Sequence, residues 1–345
     1  MSRPRAVRVG VIGLGFMGRT HIEAWRAADR AGHANRLTAV CDRDPRRLEG
    51  QAVVAGNIDT PRARADLFDP SRVRAYSEPE ALLAAAEVDL VSICTHTTTH
   101  VELALAALAA KKHVLLEKPV AIDSAGVERL ARAAREAEGL CMPAMCMRFW
   151  PGWDWLHERV AAGTFGAVRS ATFQRLAGQP SWGREFYGDT RKSGGALFDL
   201  HVHDADFVHW CFGAPDSVSS TGSARRLTTL YRYARGPEHV VAEGGWDPVP
   251  GAGLRMRYNV VFEEAVCDFD FGRRPQLLLG RPEQSEWEPV ELATTSGYDG
   301  ETRHLLACVA GSEPRLRATL EDAQAVTRML EAEAASLFTH SPAKP

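Results

Sequence analysis

VRVGVIGLGFMGRTH, residues 7–21, is the stretch on which the fold turns. Its first six residues (7–12) are a β-branched run, the composition of a strand. The next six place Gly13, Gly15 and Gly18 in the spacing G-x-G-x-x-G. Glycine-rich turns are common, so this spacing has meaning only where a strand leads in and a helix leads out. Both conditions hold here, because a helical pattern follows to about Arg30. In that setting Gly13 permits the tight turn, Gly15 lets the backbone approach a pyrophosphate, and Gly18 brings helix and strand together. The N–H groups and positive dipole end of the helix then face the phosphates. Phe16 and Met17 fill the two places between the glycines and count with the cofactor loop.

Outward from this loop, strand-like and helix-like segments alternate. LTAVCD (37–42) reads as the second strand and ends on Asp42, where a carboxylate can accept hydrogen bonds from both ribose hydroxyls. That charge repels a 2′-phosphate, so NAD is the expected cofactor. Arg43 follows directly and keeps NADP open. Residues 55–72 read as a long loop. A strand then ends at Thr95, HVELALAALAAKK (100–112) is a helix, and HVLLEKP (113–119) is a strand stopped by proline. Residues 123–139 form another helix, with Asp123 as N-cap and Gly139 as terminator, and LCMPAMCMRF leads out as a last strand. Alternating strands and helices predict a doubly wound parallel sheet.

Beyond Arg148 the pattern changes. A helix at 151–162 and a His-rich helix precede SVSSTGSARR, TTLYRYAR, HVVAEGGW, LRMRYNVVFEEAVCDFDF and PQLLLG, strand-like segments without intervening helices. They predict a large, mostly antiparallel open sheet, closed by a helix at 320–338. The expected fold class is therefore an α/β Rossmann domain over residues 1–147, followed by an α+β substrate-binding and oligomerisation domain over 148–345.

Bulk properties agree with an enzyme of two domains. The chain has 345 residues, more than one typical core needs. A formal net charge of −3 gives no nucleic-acid footprint. Six of eight tryptophans lie between Trp150 and Trp246, which suggests a pocket-bearing second half, although tryptophan more often fills cores. The seven cysteines form no C-x-x-C and no paired framework, as expected of reduced thiols in a cytoplasmic protein. The basic, then apolar N-terminus has the outline of a signal peptide, but three glycines interrupt the apolar run, and it reads as the first strand. No segment approaches the ~18 apolar residues that span a bilayer.

Ligands of open α/β sheets lie beyond the carboxyl ends of the strands. Thr95, His96 and His100 stand at one such end, and Glu117 and Lys118 at another, so all five are expected around the cofactor. A lysine beside the nicotinamide is placed to exchange the proton of a substrate hydroxyl, although a surface lysine near a strand end is the bland alternative. SGGALFDLHVHDADFVHWCFGAP (193–215) concentrates Asp199, His201, His203, Asp204, Asp206 and His209. On a strand, H-x-H would suggest a metal site. Capped by Ser193 and ended by Gly213 and Pro215, the segment reads instead as one helix, on which His201 and His203 point about 200° apart. Asp199, His203 and Asp206 (i, i+4, i+7) then share a face, an arrangement that suits proton transfer better than metal ligation, and no metal is expected.

Together GLGFMGRTH with His21, EKP at 117–119, and GGALFDLHVHDAD with its D-x-x-x-H-x-x-D spacing resemble the Gfo/Idh/MocA oxidoreductase family, which includes glucose–fructose oxidoreductase and inositol dehydrogenase. The resemblance is clear from residue 7 to about 215. It implies a cis peptide before Pro119, Lys118 as the main acid/base, and Asp199 and His203 completing the set around a substrate hydroxyl. It also implies hydride transfer between nicotinamide and a secondary alcohol of a sugar, cyclitol or sugar derivative, and a homodimer or homotetramer formed through the C-terminal sheet. Two departures stand out: His96 replaces a common proline, and His201 a common glycine. Arg148, Trp150, Trp182, Arg184 and Tyr187 are candidates to grip the substrate, Arg148 and Trp182 first among them, with core packing the competing role. Two other readings stand beside the dehydrogenase: a redox-neutral enzyme that retains NAD while cleaving a glycosidic bond, and a non-catalytic NAD(P)-binding sensor, which the intact Lys118, Asp199 and His203 set disfavours.

Overall fold

The computed structural model describes residues 5–50, 67–180, 183–249 and 251–345. The chain divides into two compact units. The first holds residues to Ala121, Ala125–Cys146 and Ser296–Ala323; the second holds Ile122–Ser124, Met147–Thr295 and Gln324–Pro345. Apart from the short excursion at Ile122–Ser124, the change of unit falls at Cys146/Met147, and the second unit is not the single run 148–345 expected from the sequence. The chain returns to the first unit near its end.

In the first unit the order is β1 (Val7–Ile12), α1 (Phe16–Arg30), β2 (Asn35–Cys41), β3 (Arg74–Tyr76), α2 (Pro79–Leu83), β4 (Leu90–Ile93), α3 (His100–Ala109), β5 (His113–Leu116), α4 (Ser124–Glu136) and β6 (Cys141–Pro143). The six strands are parallel and lie in the order β3-β2-β1-β4-β5-β6. Every residue of β4 is buried, as is the last four-residue stretch of β1, which explains their almost wholly apolar sequence; Ser92 is the polar exception in β4. The strand order reverses between β1 and β4, and ligands of such sheets lie at this switch point. Register does the rest. Cys41, Ile12, Ile93 and Leu116 are partners in a row across β2, β1, β4 and β5. The residues that follow them, Asp42, Gly13, Cys94 and Glu117, therefore leave the sheet along one edge.

The second unit begins with α5 (Trp153–Ala162) and β7 (Val168–Gly178). Four short helices follow: α6 (Arg184–Tyr187), α7 (Thr190–Ser193), α8 (Gly195–Asp199) and α9 (Val202–Phe212). The remaining strands are β8 (Ser217–Ser223), β9 (Arg226–Arg232), β10 (His239–Asp247), β11 (Arg255–Phe262), β12 (Val266–Asp270), β13 (Leu277–Gly280) and β14 (Glu288–Val290). They form one sheet in the order β14-β13-β12-β11-β7-β10-β9-β8, antiparallel except for the central β7–β10 pair. Alternation sorts its faces. Leu227, Tyr231, Val240, Ala242, Phe173, Met256, Tyr258 and Val260 are buried, while Arg226, Glu243, Gln174 and Arg257 alternate with them on the open face.

Two further helices close the chain. α10 (Gly297–Val309) begins with a capping box, in which Ser296 and Asp299 exchange side-chain and backbone hydrogen bonds, and it packs on α1 and β5 of the first unit. From Gln324 on, α11 (Leu320–Thr339) belongs to the second unit, where Val326 and Leu330 join Leu197, Phe198, Val202, Ala205 and Leu227 in one apolar cluster.

Candidate functional site

The glycine loop has the shape its spacing predicts. Gly13 adopts φ +89°, and a Cβ there would meet the Cys94 carbonyl oxygen at 2.7 Å. A Cβ on Gly18 would lie 1.9 Å from the Gly13 carbonyl oxygen, so only glycine lets α1 start this close to the turn. Around Gly15 there is space instead, the nearest atom to a Cβ being Arg47 Nη1 at 4.0 Å. No side chain caps α1, and its first turn carries no acid. An open backbone approach at an uncapped, acid-free helix N-terminus fits the pyrophosphate of a dinucleotide.

Asp42 braces this loop. Its Oδ2 accepts a hydrogen bond from the Leu14 amide (2.7 Å) and lies 3.2 Å from Arg47 Nη1, while Oδ1 accepts from the Asp44 amide (2.8 Å). Arg43 points to solvent. Arg47, three residues after Asp44 in a 3₁₀ turn, is the arginine that reaches the loop, and the sequence reading passed over it. His96 is at the surface, and partial desolvation, then the charges of Arg43 and Arg47, hold its imidazole below the ordinary range. The neighbouring Thr95 hydroxyl bonds that of Thr99 at 2.7 Å.

His100 and Glu117, expected to face the cofactor, are buried and work from beneath. The His100 ring lies between two carbonyl oxygens, with Nδ1 2.8 Å from that of Pro119 and Nε2 3.1 Å from that of Thr95. It ties the turn after β4 to the turn after β5. Burial lowers its pKa despite these acceptors, and a neutral ring has one N–H for the two of them. Glu117 Oε1 takes His21 Nε2 at 2.8 Å, and Oε2 accepts the backbone N–H of Lys118 at 3.2 Å. Lys118 itself is half-buried, and its bond to Pro119 is cis, as the resemblance implies.

In the second unit, the His-rich stretch is not one helix. Gly194 and Gly195 both have positive φ (71° and 70°), and a Cβ on Gly195 would meet the Ala224 carbonyl oxygen at 2.6 Å. The first helical turn ends at Asp199. At Leu200–His201 the chain breaks step, with the His201 amide reaching back five residues to the Ala196 carbonyl (2.8 Å), and α9 starts afresh at Val202. The i, i+4, i+7 face drawn through Asp199, His203 and Asp206 therefore does not exist as one helical face. Asp199 and His203 remain partly exposed, whereas Asp206 is buried against Arg148.

That pairing also relocates Arg148, which was expected to bind substrate. It is 1% exposed, and its Nε and Nη2 bond the Asp206 carboxylate at 3.0 and 2.6 Å. Its guanidinium also stacks near the Trp210 ring at 5.5 Å. Two residues earlier on α9, Asp204 accepts two hydrogen bonds from the buried Arg175 of β7 (2.9 and 3.1 Å). Two buried ion pairs thus pin α9. Tyr187 packs its ring edge-on to Trp246, and Trp150 meets Phe271. Trp182, and the side chain of Arg184, lie outside the described residues.

His201, where the family commonly has glycine, points into the core. Its Nε2 lies 3.0 Å from Glu333 Oε2 and 3.2 Å from the Tyr231 hydroxyl, and Tyr231 and Thr229 donate to the same carboxylate. Burial pulls its pKa down, but the Glu333 charge and hydrogen bond carry it above the ordinary value. Gly244 makes the room, since a Cβ there would meet His201 Nδ1 at 2.5 Å.

Comparison with known proteins bears on both units. Residues 7–145 match the family model described as an oxidoreductase family with an NAD-binding Rossmann fold, and residues 153–243 match the GFO/IDH/MocA C-terminal domain. The myo-inositol 2-dehydrogenase of Thermotoga maritima is 31% identical over 220 residues, which cover 63% of this chain and 58% of that protein. An uncharacterized oxidoreductase of Rhizobium meliloti is 31% identical over 240 residues, covering 68% of this chain and 67% of that protein. The match thus spans little more than half of the Thermotoga relative. Among solved structures, levoglucosan dehydrogenase in complex with NADH and levoglucosan shares the fold at a TM-score of 0.83, with 18% identity and 99% of each chain covered. Among the described residues, no helix is long and apolar enough to cross a membrane.

Proposed function

The chain belongs to the GFO/IDH/MocA oxidoreductase family, and on that premise we propose that it is an NAD-dependent dehydrogenase oxidising a secondary alcohol of a sugar, cyclitol or sugar derivative. One observation carries the reading. Lys118 leaves β5 at the sheet's carboxyl edge in the same unit as the glycine loop, its backbone tethered by Glu117 and its turn tied by His100 to the turn after β4. Gly13, Gly15, Phe16, Met17 and Gly18, with Asp42, are the residues that would hold the dinucleotide, and the Asp42 carboxylate favours a free 2′-hydroxyl over a 2′-phosphate. When bound, that group supplies the hydride acceptor. Lys118 takes the proton of the substrate hydroxyl at Nζ, and general base catalysis of this kind contributes about 10²–10⁴-fold.

Asp199 and His203 are the second unit's share of the proposal, as substrate-binding and proton-orienting residues. Relatives named for inositol and levoglucosan support a polyhydroxylated substrate. Self-association through the open, polar face of the eight-stranded sheet belongs to the same reading, supported by a face whose alternate residues bear paired charges such as Arg226 with Glu243 and Arg257 with Asp270. Light scattering at increasing salt tests that part, and a monomer at all concentrations would exclude it.

The activity is tested by NADH formation with a panel of cyclitols, sugars and sugar acids. Growth of near-ultraviolet absorbance with one substrate class, lost by about 10²–10⁴-fold in Lys118→Ala with NADH binding retained, is the expected result. Turnover unaffected by Lys118→Ala would sink the assignment. A panel without net NADH, from a protein that releases NAD on denaturation, would select the redox-neutral reading.

A further inference from the structure

His21 is the centre of a buried hydrogen-bond chain within the first unit. Trp25 Nε1 donates to Ser92 Oγ at 2.9 Å, Ser92 Oγ lies 3.2 Å from His21 Nδ1, and His21 Nε2 lies 2.8 Å from Glu117 Oε1. The indole proton is already directed at the Ser92 oxygen, so the hydroxyl's own proton is available to His21 Nδ1. The imidazole then carries a proton on Nε2 and donates it to Glu117. Glu117 in turn accepts the backbone N–H of Lys118. The chain runs in one direction, from the indole to the turn that carries the lysine.

A second carboxyl group faces the same imidazole. Glu301 of α10 places Oε1 3.7 Å from His21 Nε2, beyond hydrogen-bond length. It is 0% exposed, and neither of its oxygens has a hydrogen-bond partner among the described residues. Leaving an ionised carboxylate there would cost several kcal/mol, with the Glu117 charge close by. A neutral acid costs far less. Burial first, and the charge of Glu117 second, push the Glu301 carboxyl well above the usual carboxylate range. Burial also acts on Glu117, but its bond to His21 first, and the charge of Lys118 after it, bring it below that range. Cys94, after β4, also lies nearby, and its thiol is pushed up by burial and by both glutamates.

We propose that Glu301 is a positioning residue for the Lys118 turn: as a neutral acid it closes the second side of His21, committing the imidazole proton to Glu117 and Glu117 to the lysine backbone. The assignment rests on Lys118 as the proton-transfer residue, but its test requires no turnover. Full-length protein with ¹³C-labelled glutamate should show the carbonyl band of a buried carboxylic acid at neutral pH in the infrared, and Glu301→Gln should lack it. Linkage gives the stability effect a definite sign. Native Glu301 keeps its proton where the unfolded chain has released it, so its contribution is complete below the ordinary carboxylate pKa and is lost as pH rises towards the native value. Wild-type Tm should fall with pH more steeply than that of Glu301→Gln. NADH affinity, read by fluorescence, should weaken by about tenfold (1.4 kcal/mol) across the same titration in the wild type and stay flat in the variant.

Absence of the acid band, its survival in Glu301→Gln, or superimposable alkaline limbs would overturn the proposal. Should Glu301→Gln fail to fold, Glu117→Gln decides. With the Glu117 charge gone, the second of the two causes is removed while burial remains, so the band should persist at neutral pH but give way to carboxylate at lower pH than in the wild type; an unchanged midpoint refutes the coupling. A protein that shows the band and its pH response but oxidises no alcohol would refute the dehydrogenase reading and leave Glu301 as the holder of a buried proton.

Discussion

The Leu14 amide, inside the glycine loop, donates to Asp42 Oδ2 over 2.7 Å, so the acid that ends the second strand also sets the shape of the loop. Asp42→Ala therefore acts twice, on the ribose and on the backbone that approaches the pyrophosphate. Hydrogen bonds to charged groups are worth about 1.5–3 kcal/mol, so NADH affinity should fall about 10- to 150-fold. NADPH affinity should fail to rise in compensation. Calorimetric titration with both cofactors checks this, and a clean switch to NADPH would show that the brace is dispensable.

Arg148 and Asp206 should behave as one buried unit. Removing one partner of such a pair strands a charge and costs about 3–5 kcal/mol. Arg148→Ala is expected to unfold at markedly lower denaturant, with most of that loss recovered when Asp206→Ala is added. Denaturation of the two single variants and the double variant measures the coupling. A stable Arg148→Ala protein with only a raised KM would return the arginine to the substrate.

Gly244 and His201 form a steric pair. Gly244→Ala drives a methyl group to within 2.5 Å of the His201 ring and should destabilise by about 1–3 kcal/mol, the usual range for overpacking. In a His201→Gly background the same change should be nearly neutral, although His201→Gly itself loosens the Glu333 network. Equal effects of Gly244→Ala in both backgrounds would show that the ring does not set the limit.

At acid pH, the tie between β1 and the approach to β4 should loosen. Arg8 bonds Asp89 through its backbone N–H (3.0 Å) and its guanidinium (2.8 and 2.6 Å), and these bonds hold the carboxyl down at about 2. A depressed carboxylate adds stability above its unfolded pKa and loses it as pH falls through the folded one. Asp89→Asn should therefore be less stable than the wild type at pH 7, the two curves converging as pH falls from about 4 to 2. Parallel curves would mean that the ion pair contributes nothing.

What the sequence disclosed and what it hid follow from the range of the forces involved. β1, β2, β4 and β5 are legible because strands covered on both faces are predominantly apolar where they are buried. The central strand β7 went unread because its inward row, Ala171 and Phe173, continues with Arg175, a charge that only Asp204, 29 residues away, makes tolerable. The break at His201 is invisible to a helical period, since it depends on two left-handed glycines and on a sheet glycine at 244. Arg148 looked free to grip a ligand because its partner lies 58 residues on. α10 did have a local signal, Ser296 with Asp299 three residues later, and the reading overlooked it. The turn geometry of Gly13, Gly15 and Gly18 was legible because each acts through its immediate backbone, whereas the Asp42 carboxylate braces Leu14 from 28 residues away.

The return of Ser296–Ala323 to the first unit has a consequence for biosynthesis. The roughly 180 residues separating Cys146 from Ala323 take about 9–36 s to translate at 5–20 residues per second. Throughout that interval the nascent first unit presents the surface of α1 and β5 that α10 will cover, and the imidazole of His21 lacks its second neighbour. The first unit, although begun earlier, becomes whole only after every strand of the eight-stranded sheet has been synthesised.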